Sequence, residues 1–342
     1  LVNATPKSMK KVILSGIRKS LLQLGSATKV ELSDKLGISF PTISKFLSQM
    51  EAEGELFSVG LDDSSGGRRA KRYTYNPEFM LGLAIFLERT ETNYIVFNCL
   101  GEIKDAGKTS SVLINDELKL LNKCVEELIE KYPKINSVAI GVPGSVDNGR
   151  IIYIPDYEHL QHFDLKGYLE NRFSIPVVIE NDMNAAVLGY YDSKGNKKKK
   201  SLIYIYSGQN GPGAGIMVNG MVVRGSTNFS GEVSFIPQYD DRNFGQALNN
   251  GDGTKKAFIY EENEIDAISR VVASFVSIIN PHTIIFCDDE VNQFIIDQIV
   301  KRSSEYIPAE HLPEIIMSDW KHDYLVGLQS LGLDLMITDI SN

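Results

Sequence analysis

Apolar positions along the chain follow two regimes, helical near the N-terminus and strand–helix alternation beyond it. Over residues 10–24 they fall at Val12/Ile13, Ile17, Leu21 and Leu24, the three-to-four spacing of one helix face, and Gly25 marks the end. A short helix over 29–36, capped by Ser26 or Thr28, offers Val30, Leu32 and Leu36 to a core. Gly37-Ile38 makes a turn. Ser39 then caps a third helix running to about residue 53, with Pro41 tolerated in its first turn. Ile43, Phe46, Leu47 and Met50 form its inward stripe, while Phe40, Thr42, Ser44, Lys45 and Ser48 face away. Two β-type runs, 56–60 and 71–75, flank a Gly66-Gly67-Arg68-Arg69 tip and read as a hairpin.

Past Asn76-Pro77 the pattern changes. Short apolar strands are expected over 81–86, 94–97, 135–141, 177–180, 202–206 and 283–287. Helix-periodic stretches cover 116–131, 165–173, 184–191, 262–279, 290–305 and 324–335. Asn219-Gly220, between apolar runs at 214–218 and 221–224, fits a type I′ hairpin turn. This alternation is α/β.

Charge sharpens the division. The chain of 342 residues has 35 Lys/Arg against 44 Asp/Glu, a net of −9, which taken whole argues against a general nucleic-acid binder. Residues 1–76 hold 12 basic and 7 acidic residues, a net of +5, leaving −14 on the rest. A basic head on an acidic body is the asymmetry of a DNA-binding module joined to something else. The expected head is a winged helix-turn-helix. Ser39, Phe40, Thr42, Ser44 and Lys45 would meet the major groove, and Arg68 and Arg69 a minor groove or phosphates.

No apolar run approaches the ~20 residues of a membrane span, and residues 1–11 show no signal-peptide core, so a cytoplasmic location without membrane contact is expected. Cys99, Cys124 and Cys287 are scattered among apolar neighbours and read as free thiols. His159 and His162 stand three apart with no third ligand nearby in sequence, so no metal is expected. The run Lys197 to Lys200 reads as a solvated loop.

Three segments carry a resemblance. Glu180-Asn181-Asp182-Met183-Asn184-Ala185-Ala186 is similar to the E-N-D-x-N-A-A segment of the ROK family, which contains sugar kinases and sugar-responsive repressors. Gly141-Val142-Pro143-Gly144-Ser145-Val146-Asp147 matches its G-x-P-G-x-V-D loop, and 225–232 resembles the segment whose glutamate contacts sugar hydroxyls. The resemblance implies a two-lobed α/β actin-like ATPase fold with sugar between the lobes. It implies ligand-binding roles for Asp156, Asn181, Asp182 and Glu232, and a catalytic-base position at Asp182 in kinases. Asn181 and Asp182, following a strand and preceding a helix, also fit a helix cap.

The departures matter as much. Where the family has a D-x-G-G-T phosphate loop, this chain has Phe86-Leu87-Glu88-Arg89-Thr90. The second loop reads Gly208-Gln209-Asn210-Gly211-Pro212-Gly213-Ala214-Gly215, with Pro212 lacking an N–H. The adenosine turn is Cys287-Asp288-Asp289-Glu290. Phe235 stands at the zinc histidine, and 238–253 holds no cysteine. Packing by Phe235, Tyr239 and Phe244 is expected to hold that loop instead.

The expected organisation is a head over 1–76, a first α/β lobe over 77–195 and a second over 196–342, whose C-terminal helix packs back. The expected protein is a DNA-binding regulator, a repressor of carbohydrate genes, acting as a homodimer or dimer of dimers. Its partners would be a DNA operator and a carbohydrate or sugar-phosphate effector, with no cofactor and no kinase activity. The alternative is an ATP-dependent sugar kinase with a regulatory head.

Overall fold

The computed structural model describes residues 5–61, 70–113, 118–155, 157–195, 200–207, 211–239, 241–248 and 260–338. The N-terminal unit holds three helices, α1 (Pro6–Leu24), α2 (Lys29–Leu36) and α3 (Phe40–Ala52). Three strands, β1 (Ala27–Thr28), β2 (Leu56–Leu61) and β3 (Lys71–Tyr75), form an antiparallel sheet in the order β1-β3-β2. Thr28 caps α2 in a capping box with Glu31, and Gly37 ends it in the left-handed region. Ser39 occupies the start of α3 but makes no capping bond; its hydroxyl pairs with Thr42 Oγ1 at 2.9 Å. Ile17, Leu21, Leu32, Ile43, Leu47 and Met50 are fully buried. Val12, Leu24 and Val30, expected inward, lie outward. The Gly-Gly-Arg-Arg tip, with Arg68 and Arg69, falls outside the described residues.

The first body sheet contains β4 (Leu81–Leu87), β5 (Glu91–Asn98), β6 (Ile103–Ser110), β7 (Ile135–Val142) and β10 (Val177–Asn181), ordered β10-β7-β4-β5-β6. Helices α4 (Lys119–Lys131) and α5 (Leu165–Phe173) accompany it, and a two-strand ribbon, β8 (Ser145–Asp147) with β9 (Arg150–Tyr153), leaves its carboxyl end. The second sheet contains β11 (Leu202–Tyr206), β12 (Gly213–Val218), β13 (Met221–Val222), β14 (Thr283–Cys287) and β15 (Glu314–Ser318), ordered β13-β12-β11-β14-β15. Asn219 and Gly220 both have positive φ, as the type I′ turn requires. Helices α7 (Phe244–Leu248), α8 (Glu262–Ile279) and α9 (Gln293–Ser303) pack outside it.

Between the sheets lie α6 (Asp182–Ser193) and α10 (Trp320–Thr338). Helix α6 follows the first sheet yet packs on β11 and β12, whereas α10 follows the second sheet and packs on β4, β7 and β10. Each helix thus crosses to the other lobe's sheet, and the pair forms the hinge layer between them. Helix α10 starts four residues before the expected position, at the chain's single tryptophan. Helix α9 starts three residues after the expected position, because Asn292 caps it by accepting from the Ile295 N–H. The loop between 235 and 244 is not held by three aromatics: Phe244 is buried, while Phe235 and Tyr239 are exposed. Tyr239 lies under the Arg270 guanidinium instead, 4.2 Å from it.

Candidate functional site

Parallel strands β7, β10, β11 and β14 all aim their carboxyl ends at one cleft, where α/β folds place ligands. Because β10 runs in register with β7, Asn181 sits opposite Val142, beside the Pro143-Gly144 turn. Asn181 is the N-cap of α6: its Oδ1 accepts from Asn184 N–H at 2.9 Å. Its Nδ2 donates to Gly144 O at 3.1 Å and to Asp182 Oδ1 at 2.9 Å. The capping and cleft readings of this asparagine therefore coexist.

Asn181, Asp182 and Glu232 line a single pocket of about 940 Å³, open to solvent, with Ser145, Tyr153 and Arg224. Asp156 lies outside the described residues. Polar contacts among the described residues tie the lobes across the pocket: Ser145 Oγ donates to Glu232 Oε1 at 2.8 Å, and Arg224 pairs with Glu180 at the end of β10. Burial pushes the Asp182 carboxyl up to about 7; the Glu232 charge adds to this, and the Met183 N–H opposes it. Burial also raises Glu232, against its Ser145 hydrogen bond. The pocket is thus acidic, with carboxyls and amides suited to hydroxyl groups.

Asp182 also borders a second, smaller cavity lined by Glu88, Arg89, Tyr206, Trp320 and Tyr324. Trp320 stacks on Tyr206, with centroids 4.6 Å apart, and on Tyr324 at 5.9 Å. Its Nε1–H donates to Asp289 Oδ2 at 3.0 Å. The Ser207 N–H, leading out of β11, donates to the Glu290 carboxylate at 2.8 Å. The β4–β5 connection is a tight hairpin, closed by the Glu88 N–H on Glu91 O at 3.0 Å. Glu88 stands beside Lys321, and burial raises its carboxyl despite that cation.

In the N-terminal unit, Phe40 and Lys45 project outward from α3, Ser39 is exposed, and Thr42 is half-buried. Ser44 accepts a hydrogen bond from Lys29 Nζ at 2.8 Å. Among the described residues no cluster of His, Cys, Asp and Glu could hold a metal ion, and no helix is long and apolar enough to cross a membrane. Sequence reasoning missed Ser145, Tyr153, Arg224 and Trp320 as members of the cleft. Ser145 lies inside a recognisable loop motif; Tyr153, Arg224 and Trp320 carry no local signal.

The two-lobed body and its polar cleft define an actin-like α/β protein. Residues 83–246 match the ROK family model. A xylose repressor of Bacillus spizizenii is 27% identical over 238 residues, covering 67% of this chain and 61% of the relative. The chain thus spans less than two thirds of the length of such curated relatives. A solved ROK family transcriptional regulator, described as a homologue of the Escherichia coli MLC protein, superposes with a TM-score of 0.72. It is 18% identical and covers 96% of this chain and 98% of its own. A ROK hexokinase from Thermus thermophilus superposes at 0.59, with 16% identity, over 73% of this chain and 97% of its own. Regulators and kinases thus share the fold, and the site must separate them.

Proposed function

We propose that this chain is a DNA-binding transcriptional repressor of carbohydrate genes, modulated by a carbohydrate in the interlobe cleft, and that it does not phosphorylate that carbohydrate. The observation that carries this reading is the chemistry of the cleft's second cavity. Phosphoryl transfer needs N–H groups and cations around the triphosphate. Here Glu88 and Asp182 line the cavity against the single cation Arg89, and beside it the Ser207 N–H is already taken by Glu290 while Asp289 accepts from Trp320. Trp320, stacked between Tyr206 and Tyr324, occupies the space beside them.

In this reading residues 1–76 are a winged helix-turn-helix. Ser39, Phe40, Thr42, Ser44 and Lys45, at the start of and along the recognition helix, and Arg68 and Arg69 are its proposed DNA contacts. Residues 77–195 and 196–342 are the lobes of the sensing body. The protein works in the cytoplasm as a homodimer or dimer of dimers on a palindromic operator. The effector, a carbohydrate or sugar phosphate, contacts Asp156, Asn181, Asp182 and Glu232. Its differential affinity for lobe arrangements changes the spacing of paired heads. The xylose repressor among the relatives supports this reading.

A gel-shift with the protein's own promoter region tests it. Site-specific binding that weakens with salt and with Lys45→Ala is expected; binding indifferent to sequence would sink it. The kinase alternative draws on one observation: a carboxyl near pH 7 suits a general base. Its signature would be ATP-dependent sugar phosphorylation abolished by Asp182→Asn.

A further inference from the structure

Three aromatic rings from both lobes meet where Tyr153 lines the pocket, with Phe229 and Phe235 just outside its lining. Tyr153, the last residue of β9, lines the pocket itself. Phe229 and Phe235, from the chain between β13 and α7, lie 6.2 and 6.3 Å from its ring and 5.3 Å from each other. The ring planes are inclined by 46–65°, so they form a corner rather than a closed stack. Phe229 and Phe235 are 43% and 49% exposed. Exposed apolar patches rimmed by polar groups mark binding surfaces, and here Asn228, Ser230 and Ser234 line the pocket between and beside the rings.

We propose that this corner is a second carbohydrate subsite, so that the preferred ligand is a neutral glycoside of at least two rings. This rests on the carbohydrate-sensing reading above. One sugar unit would lie deep, against Asp182, Asn181 and Glu232. The next would rest its apolar C–H face on Phe229 and Phe235, with hydroxyls directed at Asn228, Ser230 and Ser234. Pyranose rings present such faces, and aromatic side chains are the groups that match them while tolerating water at their edges. Charge argues for a neutral ligand. Arg224, the one cation among the described lining residues, is paired with Glu180, which leaves phosphate no counter-charge there. Because Tyr153 belongs to one lobe and the phenylalanines to the other, a ligand spanning both subsites also bridges the cleft.

Calorimetric titration of the full chain tests this, with xylose against xylobiose, glucose against cellobiose, and N-acetylglucosamine against chitobiose. One disaccharide should bind at least about tenfold tighter than its own monosaccharide. Phe229→Ala and Phe235→Ala should each bring that ratio towards one, and Phe235→Tyr should restore it. Both phenylalanines are about half exposed, so the variants should keep the parent melting temperature, which is measured alongside. A monosaccharide bound as tightly as its disaccharide, or a ratio surviving both alanine variants, overturns the second subsite and leaves the sensing reading standing. If none of the six sugars binds, both fall.

Discussion

Asp182 meets three influences at the start of α6: water is excluded, Glu232 faces it across the cleft, and the Met183 N–H supports its Oδ1 at 2.7 Å. Exclusion of water dominates, and the carboxyl holds its proton up to about 7, against an ordinary value of 3.8. In the unfolded chain it ionises near the lower value. Between those two values unfolding releases a proton, so the native state loses stability as pH rises through that window and is level above it. Asp182→Asn removes this penalty while keeping an oxygen for the Met183 N–H. The variant should therefore gain little near pH 4 and gain most at pH 8. At roughly 1–2 °C per kcal/mol for a chain of 342 residues, the difference is visible in melting curves. An equal gain at pH 5 and pH 8 would contradict it. If the ionised carboxyl accepts ligand hydroxyls, affinity rises with pH through about 7 in the parent and is flat in the variant.

Helices α6 and α10 meet through glycines. A Cβ on Gly189 would strike Asp323 O, and one on Gly327 would strike Ala185 O, so the two backbones touch where the lobes hinge. Gly327→Ala should force them apart, at about 1–3 kcal/mol or more, read as a lower urea midpoint. Ligand affinity should fall too, because α6 carries Asp182 at its first turn; an unchanged midpoint would show that the hinge gives. Neither glycine is marked by local pattern, since each sits in an otherwise ordinary helical run. The buried strands β4, β7, β11 and β14 were legible because continuous apolar runs have few other uses. Strand β6, Ile103–Ser110, was not: it is a polar edge strand, exposed along most of its length, without alternation to report it. The site divides in the same way. Asn181, Asp182 and the Gly141–Gly144 loop lie in short contiguous motifs. Ser145 with Glu232, Glu180 with Arg224, and Trp320 with Tyr206 are joined only by the approach of two lobes, which no local spacing encodes.

Across the whole molecule one apolar core runs from the N-terminal unit to the cleft floor. It passes from Ile17, Leu21 and Met50 through Tyr75, Met80 and Cys99 to Met336, Leu328, Tyr324 and Trp320. At the junction Arg18 and Glu55 form a buried ion pair, and Tyr75 donates its hydroxyl hydrogen to Glu55 Oε1 at 2.8 Å. The exposed Lys19–Asp334 pair, linking α1 to α10 at 2.9 Å, adds little by comparison. The +5 of the first 76 residues and the −14 of the remainder thus belong to parts that share packing as well as chain. Helix α10 touches both ends of this core: Trp320 floors the cleft, and the helix packs against α1. Head and body should therefore unfold in a single calorimetric transition, and a cleft ligand should raise its midpoint as a whole. Glu55→Ala leaves Arg18 buried without its carboxylate, a loss of about 3–5 kcal/mol borne by the head alone. That variant should show two transitions, the head melting first, and should lose DNA binding while its cleft still binds carbohydrate. Two transitions in the parent protein would refute the shared core as the route between cleft and head.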